Sequence, residues 1–254
     1  MNNSVEALSL ASLSLAFIPV AAVLVMMYRW SLGPGNALYA VIRMLGQLLL
    51  VGYFLSFIFE SDNSWVVLAV LAVMVFASSW IGLGSIKEHR HLLYKRALLA
   101  IGLGGGLVLI LVTQGVLKLE PWYSPRYFIP LAGMIFANAM NAVSLAAERL
   151  YAETGRGVEW LEARSIACRA ALIPIINSLF AVGLVSLPGM MTGQILSGVS
   201  PLVAARYQIL VMCMIFGASG LATLCFLSGS RPPGEKTLIA SPRLLGSGPG
   251  RGTQ

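Results

Sequence analysis

The stretch Trp65-Val66-Val67-Leu68-Ala69-Val70-Leu71-Ala72-Val73-Met74-Val75-Phe76-Ala77-Ser78-Ser79-Trp80-Ile81-Gly82-Leu83-Gly84-Ser85-Ile86 carries no charged residue from end to end. A bilayer core about 30 Å thick needs roughly 20 apolar residues in helical form to cross it. Buried strands are far shorter, so this run predicts a transmembrane helix.

Six further blocks read the same way: Ala7 to Met27, Ala37 to Phe59, Leu92 to Leu117, Phe128 to Leu150, Ala167 to Leu187 and Pro201 to Leu227. The expected fold is therefore an all-α polytopic membrane protein of about seven transmembrane helices. Composition agrees, with 57% hydrophobic residues, 11% charged residues and a mean hydropathy of +0.82. Soluble domains carry about 25% charged residues. The first block contains Pro19, which predicts a kink there. It follows Glu6 and no Lys or Arg, which reads as a retained helix, with a cleaved signal peptide as the alternative.

The formal charge of +7 is distributed by topology. Lys87, Arg90, Lys95 and Arg96 flank the third connection, and Arg149, Arg156, Arg164 and Arg169 flank the fifth. Arg231, Lys236, Arg243 and Arg251 lie in the tail, while the intervening connections are poor in basic residues. The positive-inside rule then predicts the N-terminus outside and the C-terminus in the cytoplasm. With no basic face interleaved with aromatics, a nucleic-acid partner is not expected. The expected division is a transmembrane domain over residues 1–228 and a disordered Gly/Pro/Ser/Arg-rich cytoplasmic tail over 229–254.

Several chemistries find no support. The glycines Gly102, Gly104, Gly105 and Gly106 lie inside an apolar span with no Lys after them, so they build no phosphate-binding loop. They read as helix packing, as do the pairs Gly102/Gly106, Gly133/Ala137 and Gly189/Gly193 at close-approach spacing. Cys168, Cys213 and Cys225 lack metal-ligand or disulfide spacing. His89 and His91 beside Arg90 read as a solvated loop, not a metal site. No catalytic set falls at membrane depth, so the chain is not expected to be an enzyme.

Polar side chains inside spans are costly and therefore informative. Arg43 and Gln47 share a face of the second span, where Arg43 either snorkels or lines a pathway. Met134, Asn138 and Asn141 share a face of the fifth span, and Asn177 follows Pro174 in the sixth. These amides either bond neighbouring helices or line a pathway. Pro188-Gly189 is expected to end the sixth helix, and the uncharged segment beyond it reads as a re-entrant or surface element on the outer side. Within it, Met190 and Met191 offer soft thioethers or core packing, with Gln194 alongside. The fifth connection, Arg149 to Arg164, suggests a short amphipathic helix, to rest on the membrane or dock into a partner's groove.

Longer motifs then come into view. They are Phe128-Ile129-Pro130-Leu131-Ala132-Gly133-Met134-Ile135-Phe136-Ala137-Asn138-Ala139-Met140-Asn141, Arg169-Ala170-Ala171-Leu172-Ile173-Pro174 and Arg206-Tyr207-Gln208-Ile209. Between the last two stands Val182-Gly183-Leu184-Val185-Ser186-Leu187-Pro188-Gly189-Met190-Met191-Thr192-Gly193-Gln194-Ile195. With Arg43, Gln47, Val51, Gly52 and Tyr53, the chain resembles the FetB-type permeases over nearly all but its tail. Those are the membrane subunits of iron-export ABC transporters, to which plant aluminium-tolerance permeases are related.

The resemblance implies a multi-pass permease in the cell membrane, the inner one in a Gram-negative organism. It would work as a homodimer among membrane lipids and export iron or another metal. ATP and Mg would bind a separate ABC ATPase subunit, and this chain would hold no cofactor. Glu159, Trp160, Leu161, Glu162 and Arg164 would form the coupling element on the ATPase. There the sequence departs from the pattern: Val158 to Ala167 runs straight into the Arg169 motif, shorter than the family's connection by a few turns. A modified interface or weak coupling follows. The alternatives are a regulatory or scaffold subunit and a gradient-driven secondary transporter.

Overall fold

The computed structural model describes residues 9–59, 63–86 and 89–229. The tail read as disordered lies outside the described residues, apart from Gly229 at its first position. Lys87 also lies outside them. Seven helical stretches among the described residues are long and apolar enough to cross a bilayer: Ala11–Arg29, Gly35–Phe59, Ser64–Gly82, Arg90–Val116, Pro125–Gly155, Trp160–Ala181 and Pro201–Gly229. No β-ladder forms among the described residues beyond an isolated bridge between Val182 and Ser186. The chain divides into two compact units, Met1–Asp62 and Asn63–Gln254.

The first unit holds α1 (Leu10–Leu15), α2 (Phe17–Arg29) and α3 (Gly35–Phe59). The interruption expected at Pro19 falls instead at Ala16, between α1 and α2. A proline ring clashes with the carbonyl four residues back, here that of Leu15, so the helix restarts and carries Pro19 in its first turn. No described residue of α2 is buried, though Phe17, Val20, Leu24 and Met27 form a half-buried stripe, and its exposed apolar faces suit lipid or other helices.

The second unit holds α4 (Ser64–Gly82), α5 (Arg90–Ile110), α6 (Pro125–Gly155), α7 (Trp160–Ala181), α8 (Gly189–Leu196) and α9 (Pro201–Gly229). A π-helical turn, Leu111–Val116, extends α5. Asn63 caps α4, its side chain accepting from the Trp65 amide at 2.9 Å. The core forms where α9 packs on α5 and α6, with α7 and α4 also against α6.

Small residues make these contacts close. Ala132, Ala139, Ala146 and Ala147 of α6 are fully buried, as are Ala218 and Ala222 of α9, the pattern of packed membrane helices. A Cβ added at Gly104 would lie 2.6 Å from the Ala222 backbone nitrogen, and one at Gly105 would lie 2.9 Å from Ile135 and Phe136 side-chain atoms. The sequence-predicted pairs are not the close-packed ones. A Cβ at Gly106, Gly189 or Gly193 would meet nothing within 4 Å, and those at Gly102 and Gly133 only side-chain atoms at 3.6 and 3.5 Å. Spacing by four defines a stripe on a helix but not which stripe meets a neighbour.

Two connections differ from expectation. The sixth span starts at Trp160 and ends at Ala181, not at Leu187. Val182 is extended, and Gly183 at φ +83° donates its N–H to Ser186 O at 3.0 Å, turning the chain before Pro188 is reached. The eight-residue α8 follows, about 12 Å long and too short to cross. In the fifth connection no separate amphipathic helix forms. Instead α6 continues to Gly155, Gly157 takes φ +83°, and α7 begins at Trp160 with Glu159 as its cap.

Candidate functional site

The 31-residue α6 spans about 46 Å, well beyond the hydrocarbon core. Its mid-region places Met134, Asn138 and Asn141 at helical spacing on one side. There α6, α7 and α9 line an open chamber of about 100 Å³, with buried Ala142 and Ser219 at its base, half-buried Asn138, and exposed Asn141, Pro174 and Ser178 at its rim. That is room for a few waters or a partly hydrated ion.

The chamber's hydrogen-bonding character follows from where its donors go. Asn138 Nδ2–H donates to Met134 O at 2.8 Å, and Ser178 Oγ–H donates to Pro174 O at 3.0 Å. Those two donors are committed to their own helices, while the Asn138 and Asn141 amide oxygens, their remaining N–H groups and the serine hydroxyl oxygens are left to face the chamber. The lining is neutral and offers both donors and acceptors, and its amide and hydroxyl oxygens are of the kind that suit hard cations.

The other sequence-predicted residues are dispersed. Met134 supplies the carbonyl beneath Asn138 without lining the chamber. Asn177 is exposed, and its neighbour Ser178 takes the chamber position. Arg43 and Gln47 are exposed on α3, in the first unit. Met190, Met191 and Gln194 ride on α8, where Gln194 Oε1 is buried without a hydrogen-bond partner. Met191 lines a second cavity, of about 470 Å³, between α7, α8 and α9.

At the other end of α6 stands a charged cluster that sequence reading registered only as part of a mixed connection. Glu153, 5% exposed, receives Arg149 Nη2 at 2.7 Å and Arg156 Nη1 at 3.2 Å. All three residues belong to the last turns of α6 and its C-cap, so the clamp holds the end of α6 itself. Beside it, Glu159 Oε1 accepts from the Leu161 amide at 3.4 Å and the Arg164 guanidinium lies 5.0 Å from the Trp160 ring centroid. Leu161 and Glu162 are exposed.

His89 and His91 face different aromatic partners, Tyr151 at 4.8 Å and Trp80 at 5.5 Å between ring centroids. Arg90 lies 3.7 Å over the Trp80 ring and also donates to Trp80 O. Among the described residues no group of three or more His, Cys, Asp or Glu side chains is placed to hold a metal ion, and the three cysteines are free.

A model of the uncharacterised protein family UPF0014 matches the chain in two segments, residues 10–164 and 160–232. The two segments overlap at residues 160–164, at the start of α7. The chain is 38% identical over 205 residues to a UPF0014 membrane protein of Synechocystis sp., covering 75% of this chain and 79% of that one. It is 33% identical over 238 residues to the probable iron export permease protein FetB of Escherichia coli, covering 85% and 89% of the two chains. It is 31% identical over 227 residues to the protein ALUMINUM SENSITIVE 3 of Arabidopsis thaliana, covering 82% and 81%. No solved structure matches the chain.

Proposed function

This chain belongs to the UPF0014 family, and on that premise we propose that it is the permease subunit of an ABC transporter exporting a metal cation, iron first among them. The observation that supports this best is the open polar chamber between α6, α7 and α9, lined by Asn138, Asn141, Ser178 and Ser219. Neutral acceptors at membrane depth hold a cation without trapping it, as a pathway requires. ATP and Mg belong to a separate subunit, and two permease copies build the transporter. The N-terminus lies outside and the C-terminus in the cytoplasm, which puts the Glu153 clamp on the ATPase side. Glu159, Trp160, Leu161, Glu162 and Arg164 form the coupling surface.

The test is co-reconstitution with the candidate ATPase and measurement of ATP-dependent iron movement in vesicles. Asn138→Leu with Asn141→Leu should reduce export by about tenfold or more, since each lost polar contact is worth about 1–3 kcal/mol. Absence of both ATPase stimulation and iron movement would overturn the assignment. One observation favours a second reading, a regulatory subunit that moves no substrate: the family match is divided into two segments that overlap at residues 160–164, where the ATPase would seat. Failure to co-purify with any ATPase would select it.

A further inference from the structure

The larger cavity differs chemically from the amide-lined chamber. One wall is a single face of α9, with Ala205, Gln208, Ile209, Met212 and Cys213 at the i, i+3, i+4, i+7, i+8 spacing. Leu187 and Met191 contribute from the α8 side. Three sulfur-bearing side chains, half-buried Met191 and Met212 and exposed Cys213, thus line one open groove that no His, Asp or Glu lines. A fourth group points the same way. Gln208 is only 5% exposed, lines the cavity, and its Oε1 has no hydrogen-bond partner.

We infer that this cavity binds a soft monovalent metal ion, Cu(I) or its mimic Ag(I), on the Met191 and Met212 thioethers and the Cys213 thiolate. Soft thioether and thiolate donors select such ions, whereas hard cations seek oxygen. Binding releases the Cys213 thiol proton to solvent, so cation and thiolate form a pair with no net charge. That neutrality matters within an apolar wall, where an uncompensated ion is strongly disfavoured. Flexible methionine side chains close on an ion smaller than the space around them. Gln208 Oε1 is then the acceptor for a water or donor accompanying the ion. The inference goes beyond the permease assignment by adding a soft-ion site distinct from the oxygen-lined chamber, and it rests on that assignment only where the bound ion is taken as a second cargo.

The test uses the full purified chain in detergent under anaerobic reducing conditions, titrated with Cu(I) against bicinchoninate. The expected result is about one Cu(I) retained per chain, with a sulfur shell in X-ray absorption. Cys213→Ser should weaken retention about tenfold or more, and the triple variant with Met191→Leu and Met212→Leu should abolish it. Cys168→Ala and Cys225→Ala, outside the cavity lining, should leave it unchanged. No retention by the unmodified chain, no sulfur shell, or retention surviving in the triple variant would each overturn the site and leave an apolar space for a lipid chain. Copper binding absent while ATP-driven iron transport persists refutes this site alone. Copper binding present without transport refutes the permease assignment alone.

Discussion

Replacing Gly104 by alanine tests the bundle at its tightest point. The added Cβ would meet the Ala222 nitrogen at 2.6 Å, the Ala222 Cα at 2.9 Å and the Leu221 carbonyl carbon at 3.0 Å. All three are backbone atoms, so no rotamer change relieves them. To reach an ordinary contact of 3.4 Å, α5 and α9 must part by about 0.8 Å. A gap of about 0.5–1 Å forfeits a quarter to a half of each affected dispersion contact. The helix-propensity gain of about 1 kcal/mol for Gly→Ala opposes this. The net expectation is destabilisation by about 1–3 kcal/mol. Gly105→Ala should lose less, because its 2.9 Å neighbours are the side chains of Ile135 and Phe136. Gly106→Ala, with nothing within 4 Å, should be neutral or gain up to about 1 kcal/mol. Reversible SDS unfolding in mixed micelles, followed by circular dichroism, ranks the three. If Gly104→Ala is as stable as Gly106→Ala, the α5–α9 packing described above is wrong.

The remaining predictions concern charge and topology. Glu153→Gln removes the carboxylate between Arg149 and Arg156 and should destabilise by about 0.5–1 kcal/mol, because both guanidinium partners are substantially exposed. Adding Arg149→Met should recover part of that loss, since both members of the pair are then gone. Thermal unfolding of the single and double variants measures both effects. A C-terminal fluorescent reporter should mature in the cytoplasm, and an N-terminal tag should be cleavable from outside intact cells, following the alternation of basic connections. The opposite pattern would also move the Glu153 clamp away from any cytoplasmic ATPase.

Helix existence was legible in the sequence because bilayer-length apolar runs have few other outcomes. Helix partners were not, since an i, i+4 glycine stripe looks alike on either side of α5. The end of α7 was misplaced for a local reason: Pro188-Gly189 is the louder stop signal, yet Gly183 takes the positive φ and turns the chain first. The fifth connection looked amphipathic because its charges alternate with Val158, Trp160 and Leu161. Gly155 and Gly157 divide that pattern between two longer helices. Asn138 and Asn141 stood out because amides are rare in spans. Ser178 and Ser219 did not, because a serine in an apolar helix most often bonds its own backbone, as Ser178 also does.

The length of α6 has a mechanical consequence. Its only internal proline, Pro130, precedes the amide pair, so the segment from Met134 to Gly155 is uninterrupted helix. The Cα atoms of Asn141 and Glu153 are about 18 Å apart along its axis. A stiff rod of that kind transmits an axial push or a twist almost undiminished. A sub-ångström displacement imposed on the arginine-clamped end would therefore arrive at the amides nearly in full, altering the gap that they leave to Ser178 and Ser219. Under the proposed function, α6 carries the Glu153 cluster and the Asn138 and Asn141 amides on one continuous piece of backbone.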